Sequence, residues 1–393
     1  MRYILKDLDK FSDDKFVLLS GPRQVGKTTI AKEWLRTHTL KQKTGIYLNW
    51  DIPLDRAKIL QQSFLDPLKA SHIVFDELHK YQRWKSLLKG LYDGHHQLLK
   101  VVVTGSARLD VFQKSGDSLF GRYERLRLHP LTIGELEHGK LLAPPKSWID
   151  LEVKYSNPSL WKQLSLRSGF PEPFYKDDSL QHKRWSTRRR SLLIQEDLRE
   201  LSQFKTLSLI ENLALLLPER CAQRLSINAL REELNVAHDT LNSWLDALER
   251  LYFCFRLSPY STKIARSIRK EQKLYLWDWS QIKDPGARFE NMVASHLLKS
   301  VDAWNDLGYG EFRLQYLRTV DKQEIDFIIT ADNLPVVAIE TKLSRDDPSP
   351  AFEKLGNYLE SIPKIQLVEK PGIDKKYKYC RVVSADTYLS RLS

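Results

Sequence analysis

Short strand-like runs and amphipathic stretches alternate through the first third of the chain. Lys15–Ser20, Gly45–Trp50, His72–Asp76, Lys100–Thr104 and Tyr123–Leu128 read as strands. Most are continuously apolar, the pattern of strands buried on both faces, and the stretches between them have helical spacing. This alternation predicts a parallel sheet with helices on both sides. From Trp148 to Pro218 the pattern turns helical, with i, i+3, i+4 apolar spacing in "SLLIQEDLRELSQF". The stretch "LSINALREELNVAHDTLNSWLDALERLYFCFRLSPY" then predicts helix, tight turn, helix and strand, with Ser226 capping the first helix and Asp239 or Thr240 the second. Leu241, Trp244, Leu245 and Leu248 have the spacing of a buried helix face. Beyond "DPGARFENMVASHLLKSV" the order is helix, strands ("KQEIDFIIT", "PVVAIETKLS"), the helix "PAFEKLGNYLESI", and the late strands "KIQLVEK" and "YCRVVSA".

Composition narrows the classes. A chain of 393 residues with 42% hydrophobic and 10% aromatic residues is globular and long enough for two or three domains. No apolar run approaches the roughly 18 residues of a membrane span, and the start "MRYILKDLDKF" has no signal-peptide core, so a cytoplasmic protein is expected. Cys221, Cys254 and Cys380 form no C-x-x-C pair, which points away from a disulfide framework or zinc site and toward buried fillers. The net charge of +12 favours a polyanionic partner, and the excess is clustered in "HKRWSTRRR" (182–190) and "STKIARSIRKEQK" (261–273). Each run reads equally as a solvated helix face or an exposed hairpin.

The densest chemistry lies in "KFVLLSGPRQVGKTTIAKEWL", a strand, a glycine-containing loop and a helix carrying G-x-x-x-x-G-K-[ST] at Gly21, Gly26, Lys27 and Thr28. The glycines let backbone N–H groups wrap phosphates, Lys27 reaches the β- and γ-phosphates, and Thr28 binds Mg2+, with Thr29 beside it at the nucleotide. ATP and Mg2+ are the expected cofactors. "SHIVFDELHK" ends a buried strand in Asp76, placed to hold Mg2+ through water, and Glu77, placed to polarise the attacking water. "LKVVVTGSARL" ends a strand in Thr104 and Ser106, which read either as sensors of the γ-phosphate or as a cap on a helix near Arg108.

"SGPRQVGKTT", "FDELHK", "TGSAR", "FGRYERLRLHPLTIGEL" and "RSGFPEP", in this order, resemble the prokaryotic AAA+ ATPases that carry a C-terminal domain of unknown function. The resemblance covers essentially the whole chain. It implies an α/β multidomain fold: an AAA+ P-loop parallel sheet at 1–140, a helical lid and connecting helix at 141–218, a winged helix-turn-helix at 219–280, and a restriction-endonuclease-like α/β domain at 281–393. It also implies that Arg122, just before the fifth strand, acts as a finger on a neighbouring subunit's nucleotide in a homo-oligomer. Arg108 and Arg125 are weaker candidates, and any of the three is equally a partner for an acid such as Glu124.

The C-terminal third poses its own question. Glu340 and Lys342 lie two apart on a strand and therefore share a face. They read as a strand-end salt bridge or as half of a metal site. With Glu290 in the leading helix and Asp326 ending the preceding strand, they resemble the PD-(D/E)XK nuclease fold, E…D…E-x-K. That resemblance implies Asp326, Glu340 and Glu290 as Mg2+ ligands and Lys342 as the group orienting the attacking water. The opposing reading is a fold kept as a DNA-binding or assembly module without turnover. The sequence thus predicts an ATP-hydrolysing protein that binds DNA, branched or forked forms included. The winged helix, with His238, Asp239, Asn242 and Ser243 near its second helix, and the two basic segments would make the contact, and the C-terminal domain would cleave. The alternative is an ATP-driven motor or nucleotide-dependent switch whose last domain does not cut.

Overall fold

The computed structural model describes residues 2–40, 44–65, 71–105, 119–152, 157–199, 206–260, 271–319, 323–354 and 362–392. The chain divides into two compact units, Met1–His129 and Pro130–Ser393.

In the first unit, α1 (Leu5–Phe11) precedes β1 (Phe16–Ser20). Then follow α2 (Lys27–Thr39), β2 (Gly45–Asn49), α3 (Pro53–Gln61), β3 (His72–Asp76), α4 (Trp84–His95), β4 (Lys100–Thr104) and β5 (Tyr123–Arg127). The sheet order is β2-β3-β4-β1-β5, with every neighbouring pair parallel. β1 and β3 are buried along their whole length, which accounts for their uninterrupted apolar runs. α2 buries Ile30, Ala31, Trp34 and Leu35, while α4 buries Trp84, Leu88 and Leu91. The strand ends thereby gather at one edge of the sheet, where ligands of parallel α/β folds bind.

The second unit begins with α5 (Ile133–His138), α6 (Pro158–Arg167), α7 (Pro171–Lys176), α8 (Ser179–Leu192) and α9 (Leu207–Leu216). A helix–turn–helix follows: α10 (Ile227–Leu234), a left-handed Asn235, and α11 (His238–Arg250). Behind it β6 (Cys254–Leu257) and β7 (Lys273–Leu276) form an antiparallel ribbon. Ser226 caps α10 by accepting from Ala229 N–H at 3.3 Å, as its sequence position predicts. The expected Asp239 or Thr240 cap does not form: the cap position falls two residues before Asp239, at Ala237, with no side-chain bond. Leu241, Trp244, Leu245 and Leu248 are buried.

The unit ends with α12 (Pro285–Asp306), β8 (Phe312–Arg318), β9 (Glu324–Ala331), β10 (Leu334–Lys342), α13 (Pro350–Lys354), β11 (Lys364–Val368), β12 (Asp374–Lys376), β13 (Arg381–Ser384) and α14 (Ala385–Leu389). The sheet order is β12-β13-β11-β10-β9-β8. β10 runs antiparallel to β9 and parallel to β11, so its end carries residues from both directions of the chain into one centre.

Two sequence features find structural roles here. In "SGFPEP", the Gly169 carbonyl accepts from Leu131 N–H at 2.6 Å. A Cβ at Gly169 would sit 2.4 Å from the Leu131 carbonyl oxygen and 2.8 Å from the Trp279 ring, so only glycine permits that approach. The run 182–190 is not one solvated face. His182, Trp185 and Arg189 of α8 are buried, with the Arg189 guanidinium 4.2 Å from the Phe170 ring centre and donating to the Tyr252 carbonyl at 3.1 Å. Lys183, Arg184 and Arg188 remain exposed.

Candidate functional site

The glycine-rich loop follows β1 and turns into α2 at Gly26, in left-handed backbone at φ 102°. Gly21 has φ 139°, and a Cβ there would come 2.3 Å from the Leu128 carbonyl oxygen. That position is closed to any side chain on two counts. Lys27 is buried and donates through Nζ to the Gly21 and Pro22 carbonyl oxygens, each at 2.8 Å. Its ammonium is thus held at the loop's own rim, where phosphate oxygens would replace the carbonyls.

Asp76 ends β3 next to this loop. Its carboxylate accepts from Thr28 Oγ1 at 3.0 Å and from the Tyr47 hydroxyl at 2.5 Å. Thr104 Oγ1, at the end of β4, also donates to it. Tyr47 and Thr104 are polar groups on strands flanking β3, brought to Asp76 by parallel register, with Tyr47 opposite Val74, and Val103, the residue before Thr104, opposite Phe75, the residue before Asp76. The sequence reading missed Tyr47; its signal was a hydroxyl two residues short of the end of a strand beside the one carrying Asp76. The Tyr47 hydroxyl is held well above its ordinary pKa by burial and by the hydrogen bond to Asp76, so it is a donor. Hydroxyl and carboxylate oxygens of Thr28 and Asp76 are the hard donors Mg2+ takes, so this end of the site fits a magnesium–nucleotide.

Glu77 sits in left-handed backbone at φ 55°, uncommon for a residue with a side chain. Burial pushes its carboxyl above the usual range, and His79 Nε2 lies 3.5 Å from its Oε2. Thr29 is exposed on α2. Arg122 stands just before β5 and grips Asp93 of α4 at two points, Nε to Oδ1 at 2.6 Å and Nη2 to Oδ2 at 3.3 Å. Glu124 receives Lys15 at 2.6 Å. Ser106, Arg108 and residues 261–270 of the second basic run lie outside the described residues.

In the second unit, the four residues singled out in the C-terminal third do converge. Asp326 Oδ2 accepts from Thr341 N–H at 2.9 Å and Thr341 Oγ1 at 2.7 Å. Lys342 Nζ donates to Glu340 Oε1 at 2.6 Å, and Ser349 Oγ reaches the same oxygen at 3.4 Å. Glu340 Oε2 takes Asp326 N–H at 3.4 Å. Glu290 Oε1 accepts from the Tyr275 hydroxyl at 2.9 Å.

A further residue changes the meaning of this centre. Lys273, at the start of β7, points its ammonium into the acids. Nζ is 2.7 Å from Glu324 Oε1, 3.1 Å from Glu290 Oε1 and 3.4 Å from Asp326 Oδ1. Its side chain is 3% exposed, so the last residue of the second basic run is an internal cation and not a surface charge. Burial alone would lower its pKa, but Glu290, Asp326 and Glu324 outweigh that and raise it. The crowded acids are raised too: Glu290 to about 8 and Glu340 to about 7, in each case by burial and then by the Asp326 charge.

These residues do not fit a divalent cation. Glu290 Oε1 and Asp326 Oδ1 both face the Lys273 ammonium, which already supplies the positive charge an ion would bring. Among the described residues, no group of three or more His, Cys, Asp or Glu side chains is disposed to hold a metal. The expected metal set Glu290, Asp326 and Glu340 therefore assembles as a salt-bridged cluster. The sequence carried one hint of it: Lys273 and Tyr275 are an i, i+2 polar pair on an otherwise apolar strand, sharing a face as Glu340 and Lys342 do.

Comparison with known proteins gives domains more than identities. Residues 13–137 match a family model described as an AAA domain. Residues 158–281 and 285–385 match two domains of unknown function, DUF8612 and DUF4143. An uncharacterized protein of Haemophilus influenzae is 21% identical over 352 residues, covering 82% of each chain. One from Methanocaldococcus jannaschii is 25% identical over 307 residues, 69% of this chain and 63% of the relative. One from Mycobacterium tuberculosis is 24% identical over 264 residues, 67% of this chain and 54% of the relative. Among solved structures, the Orc1 protein of Aeropyrum pernix in complex with DNA aligns with a TM-score of 0.35 at 13% identity, over 75% of this chain and 93% of that one. AMPPCP-bound DnaA of Aquifex aeolicus aligns with a TM-score of 0.32 at 13% identity, over 63% and 86%. No helix among the described residues is long and apolar enough to cross a membrane.

Proposed function

We propose that this protein binds and hydrolyses ATP at the Gly21–Thr28 loop and uses the nucleotide state as a switch on DNA, with a C-terminal domain that binds without cutting. The observation that carries the first half is the convergence of Thr28, Tyr47 and Thr104 on the Asp76 carboxylate beside a buried Lys27. In this reading Gly21, Gly26, Lys27, Thr28 and Thr29 hold the phosphates, with Ser106 near the γ-phosphate. Thr28 and Asp76 would hold Mg2+, directly and through water respectively. An ion held there would neutralise negative charge on the phosphoryl oxygens and so ease attack by water. Glu77, its carboxyl pKa raised by burial, orients the attacking water as a base. Arg122, on releasing Asp93, reaches a neighbouring copy's nucleotide in a homo-oligomer.

DNA is the proposed partner because the chain is strongly basic and its helix–turn–helix leaves His238, Asp239 and Ser243 exposed at the start of α11, with Asn242 half-buried. The non-cleaving half rests on Lys273. A second reading, a Mg2+-dependent nuclease with Asp326, Glu340 and Lys342 at its centre, draws on the 2.6 Å contact of Lys342 with Glu340. It requires Lys273 to leave the acids.

The test is incubation of the protein with linear, forked and four-way-junction DNA, with Mg2+ or Mn2+, with and without ATP, beside a Glu340→Ala variant. DNA-stimulated phosphate release with intact DNA is expected. Cutting that disappears in Glu340→Ala would replace the switch with the nuclease.

A further inference from the structure

We infer that Lys273 is a resident cation that substitutes for a metal ion in the C-terminal acidic centre and fastens the β6–β7 ribbon to the C-terminal sheet. This rests on the non-cleaving reading above and gives it a physical cause. Three carboxylates from two elements, Glu290 of α12 and Glu324 and Asp326 of β9, meet one ammonium that the ribbon delivers. Such a set of acids is costly to bury unless a cation compensates it. A bound metal would supply that compensation in a metalloprotein. Here the chain supplies it covalently.

Further donors crowd these acids. Tyr275, also from β7, donates to the Glu290 oxygen that Lys273 faces. Thr341 satisfies the second oxygen of Asp326 through both its N–H and its hydroxyl. Lys342 and Ser349 take one oxygen of Glu340, and Asp326 N–H takes the other. An entering divalent ion would have to displace an ammonium whose side chain is almost wholly buried. The Lys273 charge and a metal are therefore alternatives at the same oxygens.

The ribbon adds a consequence. Lys273 pairs with Leu257 across the β6–β7 ladder, so the cation is anchored by backbone at one end and by carboxylates at the other. The ion cluster sets where the ribbon, and the helix–turn–helix preceding it, stands against the C-terminal sheet.

The experiment titrates Mn2+, followed by its electron paramagnetic resonance, into nucleotide-free full-length protein, wild type and Lys273→Met. Methionine keeps the apolar stem and removes the charge. Wild type is expected to bind no Mn2+ that Glu290→Gln or Asp326→Asn abolishes. Lys273→Met is expected to gain a site at least tenfold tighter than any residual Mn2+ binding of wild type, lost again when Glu290→Gln is added. If Lys273→Met unfolds without metal, Mn2+ is expected to restore its circular dichroism spectrum, and failure to do so overturns the inference. So does a folded Lys273→Met that gains no site, or wild-type Mn2+ binding that depends on Asp326. Wild-type binding without DNA cutting would sink this inference and spare the proposed function, whereas Glu340-dependent cutting would sink both.

Discussion

Lys27 donates its ammonium to the Gly21 carbonyl oxygen at 2.8 Å, closing the phosphate loop with the loop's own backbone. On the proposed reading, nucleotide binding would exchange these carbonyl acceptors for phosphate oxygens. Such charge-assisted bonds contribute about 1.5–3 kcal/mol each. Lys27→Ala should weaken ATP binding by roughly tenfold for every 1.4 kcal/mol so lost, and abolish phosphate release. Fluorescent-nucleotide titration and a phosphate-release assay check this. Unchanged affinity would place the nucleotide elsewhere.

The buried pair Lys299–Glu135 offers a second test, within the second unit. Lys299 Nζ contacts Glu135 Oε2 and Thr132 Oγ1, both at 2.7 Å, and the two charged side chains are 0% and 2% exposed. Removing one partner strands the other charge, which typically costs about 3–5 kcal/mol, whereas replacing both by neutral groups costs far less. Lys299→Met should therefore destabilise strongly, and Lys299→Met with Glu135→Gln should recover most of the loss in urea unfolding. Equal losses in the single and double variants would show that the pair does not couple.

How much of this was legible without coordinates depends on how far each signal reaches along the chain. The five parallel strands and the phosphate loop were legible, because buried strands announce themselves as local apolar runs and the loop chemistry is compressed into eight consecutive residues, Gly21–Thr28. The hydroxyl cluster on Asp76 was half legible. Thr104 sits at a strand end as a sensor would, but Tyr47 is recruited by register between strands that no local spacing reveals. Lys273 was hidden by its neighbourhood. A lysine closing a basic run reads as solvated, and only the fold shows that it starts a buried strand facing residues seventeen to fifty-three positions away. The α11 cap failed for a smaller reason: with Ala237 extended, the helix begins one residue ahead of Asp239.

His296 predicts an acid-labile second unit. Its Nδ1 lies 2.7 Å from the Met292 carbonyl, to which it donates, and its Nε2 accepts from Ile133 N–H at 3.1 Å. Only the neutral ring satisfies both, and burial pushes its pKa down to about 3. An unfolded histidine titrates near 6.5. Above that pH both states are neutral and the residue adds no pH dependence. As pH falls from about 6.5 toward 3, the unfolded chain takes a proton that the folded one refuses, so stability drops by up to about 1.4 kcal/mol per pH unit. His296→Gln should flatten urea midpoints measured between pH 7 and 4.5 by one proton's worth of slope. Parallel slopes would mean that the ring titrates in place.

The two faces of α8 give the last prediction, because they separate a nucleic-acid surface from a structural one within a single basic run. Lys183, Arg184 and Arg188 are exposed, while Arg189 is stacked on Phe170 and bonded to the Tyr252 carbonyl. If the exposed three neutralise phosphates, each contributes about 0.9 to the slope of log affinity against log salt. Replacing all three by alanine should lower that slope by up to about 2.7 and weaken binding similarly on unrelated DNA sequences, as fluorescence anisotropy at several salt concentrations would show. Arg189→Met should behave oppositely, lowering the unfolding midpoint, since its cation lies in the core with aromatic and carbonyl partners. An unchanged slope in the triple variant would assign this face to something other than DNA and leave the helix–turn–helix and the 261–273 run as the contacts to test.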